Sequence, residues 1–444
     1  MARRRSIHHG RAALSCALAA LLAPLARAAA PPRWELVASA LGNSSYGRRG
    51  AGFSLVVGNR SGVLYNASFN GHSPGTIQNV ASASKLVSAW AVARLVDAGR
   101  LSWGALTSQH LPPSDWPAPP SALGSINLTT LLSFTSGLPL TRCTDGLGGD
   151  PSALPFWQCV ANASSVPPSY TPAGTVFEYG GQHEHVAGAM AASALAGAPG
   201  SPAGWPAVFS GLRAAVGLGA SQAFYTPLSN PQPAGGLAIS ANGYASLLLA
   251  YVRGELGISA ASRAYLERDW TPRGLVRIAV SPFSDMGFEF HYGLGHWVEC
   301  RLNPTCGANG SLGSGCRSSP SATWLPSCDA GCERSSVGAS GVMPYLDSCT
   351  AFGSPSTSVE PGYWALFFPD TSGSAVESVI LGSTLWPAVR AALASQFIPP
   401  AAGASFTASP TASRAASLGA RTGIDCASSA AIILLAVVAL LALP

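Results

Sequence analysis

Ala81-Ser82-Ala83-Ser84-Lys85 holds the single lysine among the 25 basic residues of this 444-residue chain. The difference from arginine is chemical. A guanidinium stays protonated at any working pH, whereas a desolvated ammonium can release its proton and act as a base. If Ser82 opens a helix, a spacing of three puts hydroxyl and amine on one face about a turn apart, within reach of a proton transfer. Serine is abundant in this chain, so the spacing alone carries little weight and its surroundings must decide.

Upstream, Gly52-Phe53-Ser54-Leu55-Val56-Val57 and Val63-Leu64-Tyr65 flank the turn-forming run Gly58-Asn59-Arg60-Ser61-Gly62. That pattern predicts a β-hairpin. From Ser82 to Ala98, apolar residues at Leu86, Val87, Trp90, Ala91, Val92 and Leu95 predict a buried helix ending at Gly99. Further helices are expected near 186–195, 241–252 and 374–394, with strands at 292–298, 341–345 and 363–368. Strands at both ends with helices between them imply one sheet assembled from distant segments, an α/β chain of the α+β type.

The ends of the chain do not read as domain material. Arg3-Arg4-Arg5, an apolar stretch from Ala12 to Leu25 and small residues at 26–30 predict a secretory signal peptide over residues 1–30. Five of the arginines lie in that leader and no acidic residue does, so its removal takes the formal charge from +5 to 0. Nothing in the remainder suggests nucleic acid as a partner. An Ala/Ser-rich linker over 397–429 precedes an apolar tail at 430–444. Ser417, Gly419 and Ala420 suit the attachment region of a glycolipid anchor, with a short membrane helix or a plain secreted end as alternatives. Membrane contact is expected only through this tail.

Cysteine usage fits an oxidising compartment. With Cys16 in the leader and Cys426 beside the tail set aside, eight remain: Cys143, Cys159, Cys300, Cys306, Cys316, Cys328, Cys332 and Cys349. An even set reads as disulfides, with Cys143 and Cys159 closing one loop and the other six pinning a cysteine-rich insertion over 300–335. No C-x-x-C pair occurs, which argues against structural zinc, and no cofactor or metal is expected. Sequons at Asn43, Asn59, Asn66, Asn127, Asn162 and Asn309 are compatible with glycosylation.

With these landmarks in order, residues 35–396 resemble the serine β-lactamase and penicillin-binding-protein superfamily, in particular its class C-like, β-lactamase-related branch. Ser82-Ala83-Ser84-Lys85 matches S-x-x-K. Leu131-Leu132-Ser133-Phe134-Thr135-Ser136-Gly137-Leu138-Pro139 looks like the branch's LLxHTSGLP block. Pro172-Ala173-Gly174-Thr175-Val176-Phe177-Glu178-Tyr179 looks like the run that delivers the second catalytic motif. Gly235–Ala241 and Tyr292-Gly293-Leu294-Gly295 are similar to further family turns.

The resemblance implies a β-lactamase/transpeptidase-like fold, an antiparallel sheet flanked by helices plus a mostly helical subdomain, with the site in the cleft between them. It also implies roles. Ser82 would be the nucleophile, Lys85 its base and Tyr179 a proton relay, with backbone N–H groups of Ser82 and Ala339 as the oxyanion hole. Gly181, Ser336 and Gly338 would line the substrate site.

Two departures bear on the substrate. The family's Y-x-N reads Tyr179-Gly180-Gly181 here, and its K-T-G or H-x-G aligns best with Ser336-Val337-Gly338. The amide that would hold lysine and substrate is absent, as is the cation that would bind a substrate carboxylate. A small-molecule or peptide ester or amide is therefore expected, rather than a β-lactam. The alternative is a catalytically impaired relative that binds a ligand or partner in the same cleft.

Two rival motifs are weaker. Gly71-His72-Ser73-Pro74-Gly75 fits G-x-S-x-G, but Pro74 has no N–H to give an oxyanion. His183-Glu184-His185 lacks the HExxH spacing of a zinc site, which favours a supporting role. His291 and His296 are expected to be packing or surface residues.

Overall fold

The computed structural model describes residues 33–42, 50–138, 154–165, 172–199, 204–272, 275–282, 290–299, 333–336, 338, 341–347, 363–370, 388, 389 and 392. The expected hairpin is there: β1 (Phe53–Asn59) pairs antiparallel with β2 (Gly62–Phe69). It forms one end of a seven-stranded antiparallel sheet in the order β2-β1-β12-β11-β10-β9-β8. The partners are β12 (Trp364–Pro369), β11 (Met343–Asp347), β10 (Glu333–Ser335), β9 (Trp297–Glu299) and β8 (Phe290–Tyr292).

All seven residues of β1 are buried, because both faces of the sheet are covered. Alternation along the strand sends Phe53, Leu55 and Val57 to one face. There they pack with Met343, Tyr345, Ala365 and Phe367, beneath Val37 and Leu41 of α1 (Trp34–Gly42) and beneath Val389 and Ala392. Val56, Leu366 and Phe368 join the larger core on the opposite face. The close approach of strands fixes one glycine. A Cβ on Gly58 would lie 2.4 Å from the indole of Trp364, which crosses directly over it.

The larger core is helical. The helix α2 (Ser84–Asp97) is buried from Ser84 through Ala93. Around it and above the sheet lie α3 (Thr107–His110), α4 (Leu128–Leu132), α5 (Phe156–Ser165), α6 (Gly181–Ala196), α7 (Gly204–Ala215), α8 (Ala241–Arg253) and α9 (Ala260–Glu267). A small sheet, β3-β6-β5 (Gln78–Asn79, Leu237–Ile239, Ala223–Tyr225), and a parallel pair, β4 (Val176–Glu178) with β7 (Arg277–Val280), complete the scaffold. The expected antiparallel sheet flanked by helices is the architecture found.

Three expectations need correction. The stretch 292–298 is a hairpin, since Gly293–His296 turn the chain between β8 and β9. Gly295, at φ +78°, makes that reversal possible. Ser82 does not lie in the α-helix but in a 3₁₀ turn, Ala81–Ala83, that runs straight into it. Asn59, read as a glycosylation acceptor, is buried, and its side-chain oxygen accepts from the Ser61 N–H 2.8 Å away.

The leader, the linker, the apolar tail, residues 300–332 and the helix expected over 374–394, save for helical residues at 388, 389 and 392, lie outside the described residues. Among those described, no helix is long and apolar enough to cross a membrane. Of the eight cysteines, Cys159 alone is described; it is disulfide-bonded.

Candidate active site

The turn that carries Ser82 is held from all sides. Ala81 adopts φ +46°, a left-handed conformation that costs a non-glycine residue about 1 kcal/mol. Asn79 offsets it by accepting from the Ala81 N–H at 2.7 Å. The Ser84 hydroxyl donates to the Ala81 carbonyl at 2.6 Å and accepts from the Leu237 N–H at 3.0 Å. Tyr244 donates to the Ala83 carbonyl at 2.7 Å. The strained turn is thus tied to β6 and α8, and strain held by its surroundings in this way marks functional turns.

Lys85, only 4% exposed, follows in the first turn of α2. Its Nζ lies 3.0 Å from Ser82 Oγ and 2.7 Å from the carbonyl oxygen of Ala234. The carbonyl can only accept, so it holds one N–H and leaves two positions of the nitrogen, one of them within reach of Ser82. In the neutral amine one N–H and a lone pair remain, and at 3.0 Å the lone pair can accept the serine hydroxyl proton, as a general base must. Nothing in the side-chain sequence announces Ala234, because its contribution is a backbone atom.

Tyr179 follows β4, and its N–H donates to the Val280 carbonyl at 3.0 Å. Its ring stacks on Trp297 with centroids 5.1 Å apart and meets the edge of Phe134 at 5.4 Å. Lys85 Nζ sits over the ring, 4.8 Å from its centroid. Among the described residues the Tyr179 hydroxyl makes no hydrogen bond to Ser82 or Lys85. The expected contact of that hydroxyl with the pair is thus replaced, in this state, by a cation–π contact.

The LLSFTSGLP block buttresses this tyrosine. Phe134, at φ +58°, stacks on Tyr292 and His183. Ser136 Oγ lies 2.8 Å from His183 Nδ1, and His183 Nε2 lies 3.0 Å from the Glu178 carbonyl. Because that carbonyl only accepts, Nε2 carries the proton and Nδ1 accepts from Ser136. Burial holds the imidazole neutral, with its pKa pushed down to about 3. His183 therefore braces the backbone just before Tyr179. Its neighbour Glu184 is buried, and burial pushes its carboxyl up to about 8. No cluster of His, Cys, Asp or Glu that could hold a metal occurs among the described residues.

Gly181 is the first residue of α6 and brings no side chain to the lysine. Ser336 is buried at the end of β10, where its hydroxyl donates to the Ser82 carbonyl at 3.0 Å. The Gly338 N–H donates to the Val342 carbonyl at 2.8 Å, starting the turn into β11. Ala339 lies outside the described residues. Sequence segments 254 residues apart thus meet at the nucleophile.

The rival residues fall elsewhere. Ser73 lies in the exposed turn after β2. His291 is buried and paired with Asp269 at 2.6 Å, and His296 is buried with Nδ1 3.0 Å from the Leu294 carbonyl, so both pack the interior.

Residues 32–181 match the Beta-lactamase family model. No curated protein matches the sequence. Among solved structures, a putative β-lactamase from Bacteroides dorei DSM 17855 is 22% identical, with 80% of this chain and 98% of that one covered and a TM-score of 0.58. A family VIII carboxylesterase is 14% identical over 81% of this chain and 98% of its own, with a TM-score of 0.54. EstCE1, a hydrolase with promiscuous acyltransferase activity, is 15% identical over 79% and 99%, with a TM-score of 0.53. The family match begins just before α1 and ends at Gly181, two residues past Tyr179, so it includes Ser82, Lys85 and Tyr179. Residues 32–181 are thus similar to the Beta-lactamase family, and the chain as a whole has the fold of these β-lactamase-like and carboxylesterase structures.

Proposed function

We propose that this protein is a serine hydrolase of the class C-like branch that forms an acyl-enzyme on Ser82 and hydrolyses an ester or amide. The single observation that carries this is the Lys85 amine, held 3.0 Å from Ser82 Oγ and 2.7 Å from the Ala234 carbonyl. In the first step Ser82 Oγ bonds to the substrate carbonyl carbon while Lys85 takes the hydroxyl proton. The proton passes to the leaving alcohol or amine as its bond to the carbonyl carbon breaks, with Tyr179 as relay. Water then attacks the Ser82 ester, and the acid is released with the serine hydroxyl restored. The backbone N–H groups of Ser82 and Ala339 are the proposed oxyanion donors.

The substrate is one without a carboxylate beside the scissile bond. Gly181 offers no amide and Ser336 no cation, so a β-lactam or D-alanyl peptide would leave its carboxylate unpaired, which disfavours it. A carboxylesterase and a hydrolase with acyltransferase activity among the structural relatives are compatible with that preference. The same two departures favour the second reading, a catalytically impaired protein that binds a ligand in this cleft.

A fluorophosphonate probe separates the two. The adduct is expected on Ser82, lost in Ser82→Ala and strongly reduced in Lys85→Arg, whose guanidinium cannot accept the proton. An unlabelled protein that still melts cooperatively would establish the binding reading instead. The leader, the sequons and the disulfide at Cys159 support work outside the cytosol, and the C-terminal residues support a glycolipid anchor there. Release from membranes by a phospholipase specific for such anchors tests that location.

A further inference from the structure

Glu184 is a buried carboxyl that the acyl-transfer steps do not use. It is 1% exposed, and neither of its oxygens has a hydrogen-bond partner among the described residues. It lies on α6, which packs against the Lys85 helix, three residues after Gly181 and therefore on the same face one turn deeper. From the elements around it, Glu184 meets the charge of Lys85 on α2 and acts on the hydroxyls of Tyr225 on β5 and Tyr292 on β8. Tyr225 in turn is hydrogen-bonded to Ser88, three residues after Lys85 on α2, at 2.8 Å. The flanking His183 and His185 are buried and neutral above about pH 4. The other helices packed on α6 bring His110, Arg213 and the disulfide-bonded Cys159, and none of these moves the carboxyl.

An unpartnered carboxyl in such surroundings is costly as an anion, so it keeps its proton unless a cation draws it off. The cation that acts on it is Lys85. We propose that Glu184 is a positioning residue for Lys85, supplying from one turn deeper the polar control that Gly181 lacks and setting through its own proton whether the amine rests as a base or as an idle ammonium. With the proton in place, the carboxyl is neutral and Lys85 is free to give up its own. When Glu184 releases its proton to solvent, the carboxylate left behind stabilises the ammonium and holds the base back.

This rests on Ser82 being acylated, so the test has one arm that needs acylation and one that does not. In the first, the rate of Ser82 labelling by a fluorophosphonate is followed against pH in the full-length protein and in Glu184→Gln. The neutral amide cannot turn into an anion, so the midpoint of the variant should fall about one pH unit lower, making it roughly tenfold faster near pH 9. Coincident profiles in two equally stable proteins would overturn the proposal. In the second arm, the infrared C=O stretch of the protonated carboxyl is titrated in the parent protein and in Lys85→Met. Losing the cation should move the midpoint of that band upward from about 8. An unchanged midpoint would overturn the proposal even if Ser82 never labels or Glu184→Gln fails to fold, and a shifted one would sustain it.

Discussion

Gly295 presses against the backbone of Lys85: a Cβ built on it would lie 2.7 Å from the Lys85 carbonyl oxygen and 2.8 Å from Ala89 Cβ. The turn between β8 and β9 therefore rests directly on the helix that aims the lysine. Gly295→Ala is expected to cost about 3 kcal/mol, the sum of a left-handed φ and overpacking against a backbone that cannot yield. Gly254→Ala is the control. Its φ of +79° is the same, but its nearest neighbour stands at 3.4 Å, so about 1 kcal/mol is expected. Urea unfolding of both variants measures the difference.

Tyr179→Phe separates the ring from the hydroxyl. The stack on Trp297 and the contact under Lys85 both use the ring, so stability should change little. If the hydroxyl relays the leaving-group proton, turnover of a p-nitrophenyl ester should still drop by about 10²-fold. A variant as active as the parent would remove Tyr179 from the proton path.

Stability should peak near pH 6.5. His183 and His185 are pushed down to about 3 and about 4 in the folded state, so the unfolded chain binds their protons first. Their contribution is full above the unfolded value of about 6.5 and is lost as pH falls toward those lower values. Glu184, raised to about 8, works in the opposite sense. Its contribution is full below the ordinary carboxylate range and is lost as pH rises through about 8. Each proton changes stability by about 1.4 kcal/mol per pH unit within its window. Unfolding free energy measured from pH about 4 to about 9 should therefore fall on both sides of the peak. His183→Gln should make the acid limb shallower by one proton, and Glu184→Gln should flatten the alkaline one.

What the sequence made legible is local. The hairpin at 53–69, the helix behind Ser82 and the helices at 181–196 and 241–253 each follow from periodicity and turn residues within one segment. The Ser82–Lys85 contact is local too, since a spacing of three survives even though the first turn is 3₁₀. What stayed hidden is non-local. The Ala234 carbonyl that holds Lys85 is a backbone atom 149 residues away, and any residue at 234 would bring one. By propensity Gly293 to His296 read as part of a strand because their neighbours are β-formers, and only the resemblance marks a turn at Tyr292–Gly295; the packing of Gly295 on α2 is what the pattern does not show. His183-Glu184-His185 lacks the spacing of a metal motif, but its separate roles do not show in the sequence; adjacent helical positions point in different directions, and the three side chains serve different surroundings.

Ser336 is where the substrate question can be forced. By the resemblance it would stand where the family has its carboxylate-binding cation, and its hydroxyl is turned inward to the Ser82 carbonyl at 3.0 Å. Ser336→Ala would leave that carbonyl without this donor, at an expected cost of about 1 kcal/mol and a several-fold slower acylation, because the backbone bearing Ser82 is held less firmly. Ser336→Lys loses the same hydrogen bond but returns a cation to the strand end. Both variants should therefore slow the hydrolysis of a neutral ester. Only the lysine variant should shift the ratio of rates for a carboxylated over a neutral substrate, by about tenfold, since a charge-assisted contact to a carboxylate is worth more than a neutral one. Equal ratios in the two variants would mean that position 336 does not face the substrate, and that selection against a carboxylate is made elsewhere in the cleft.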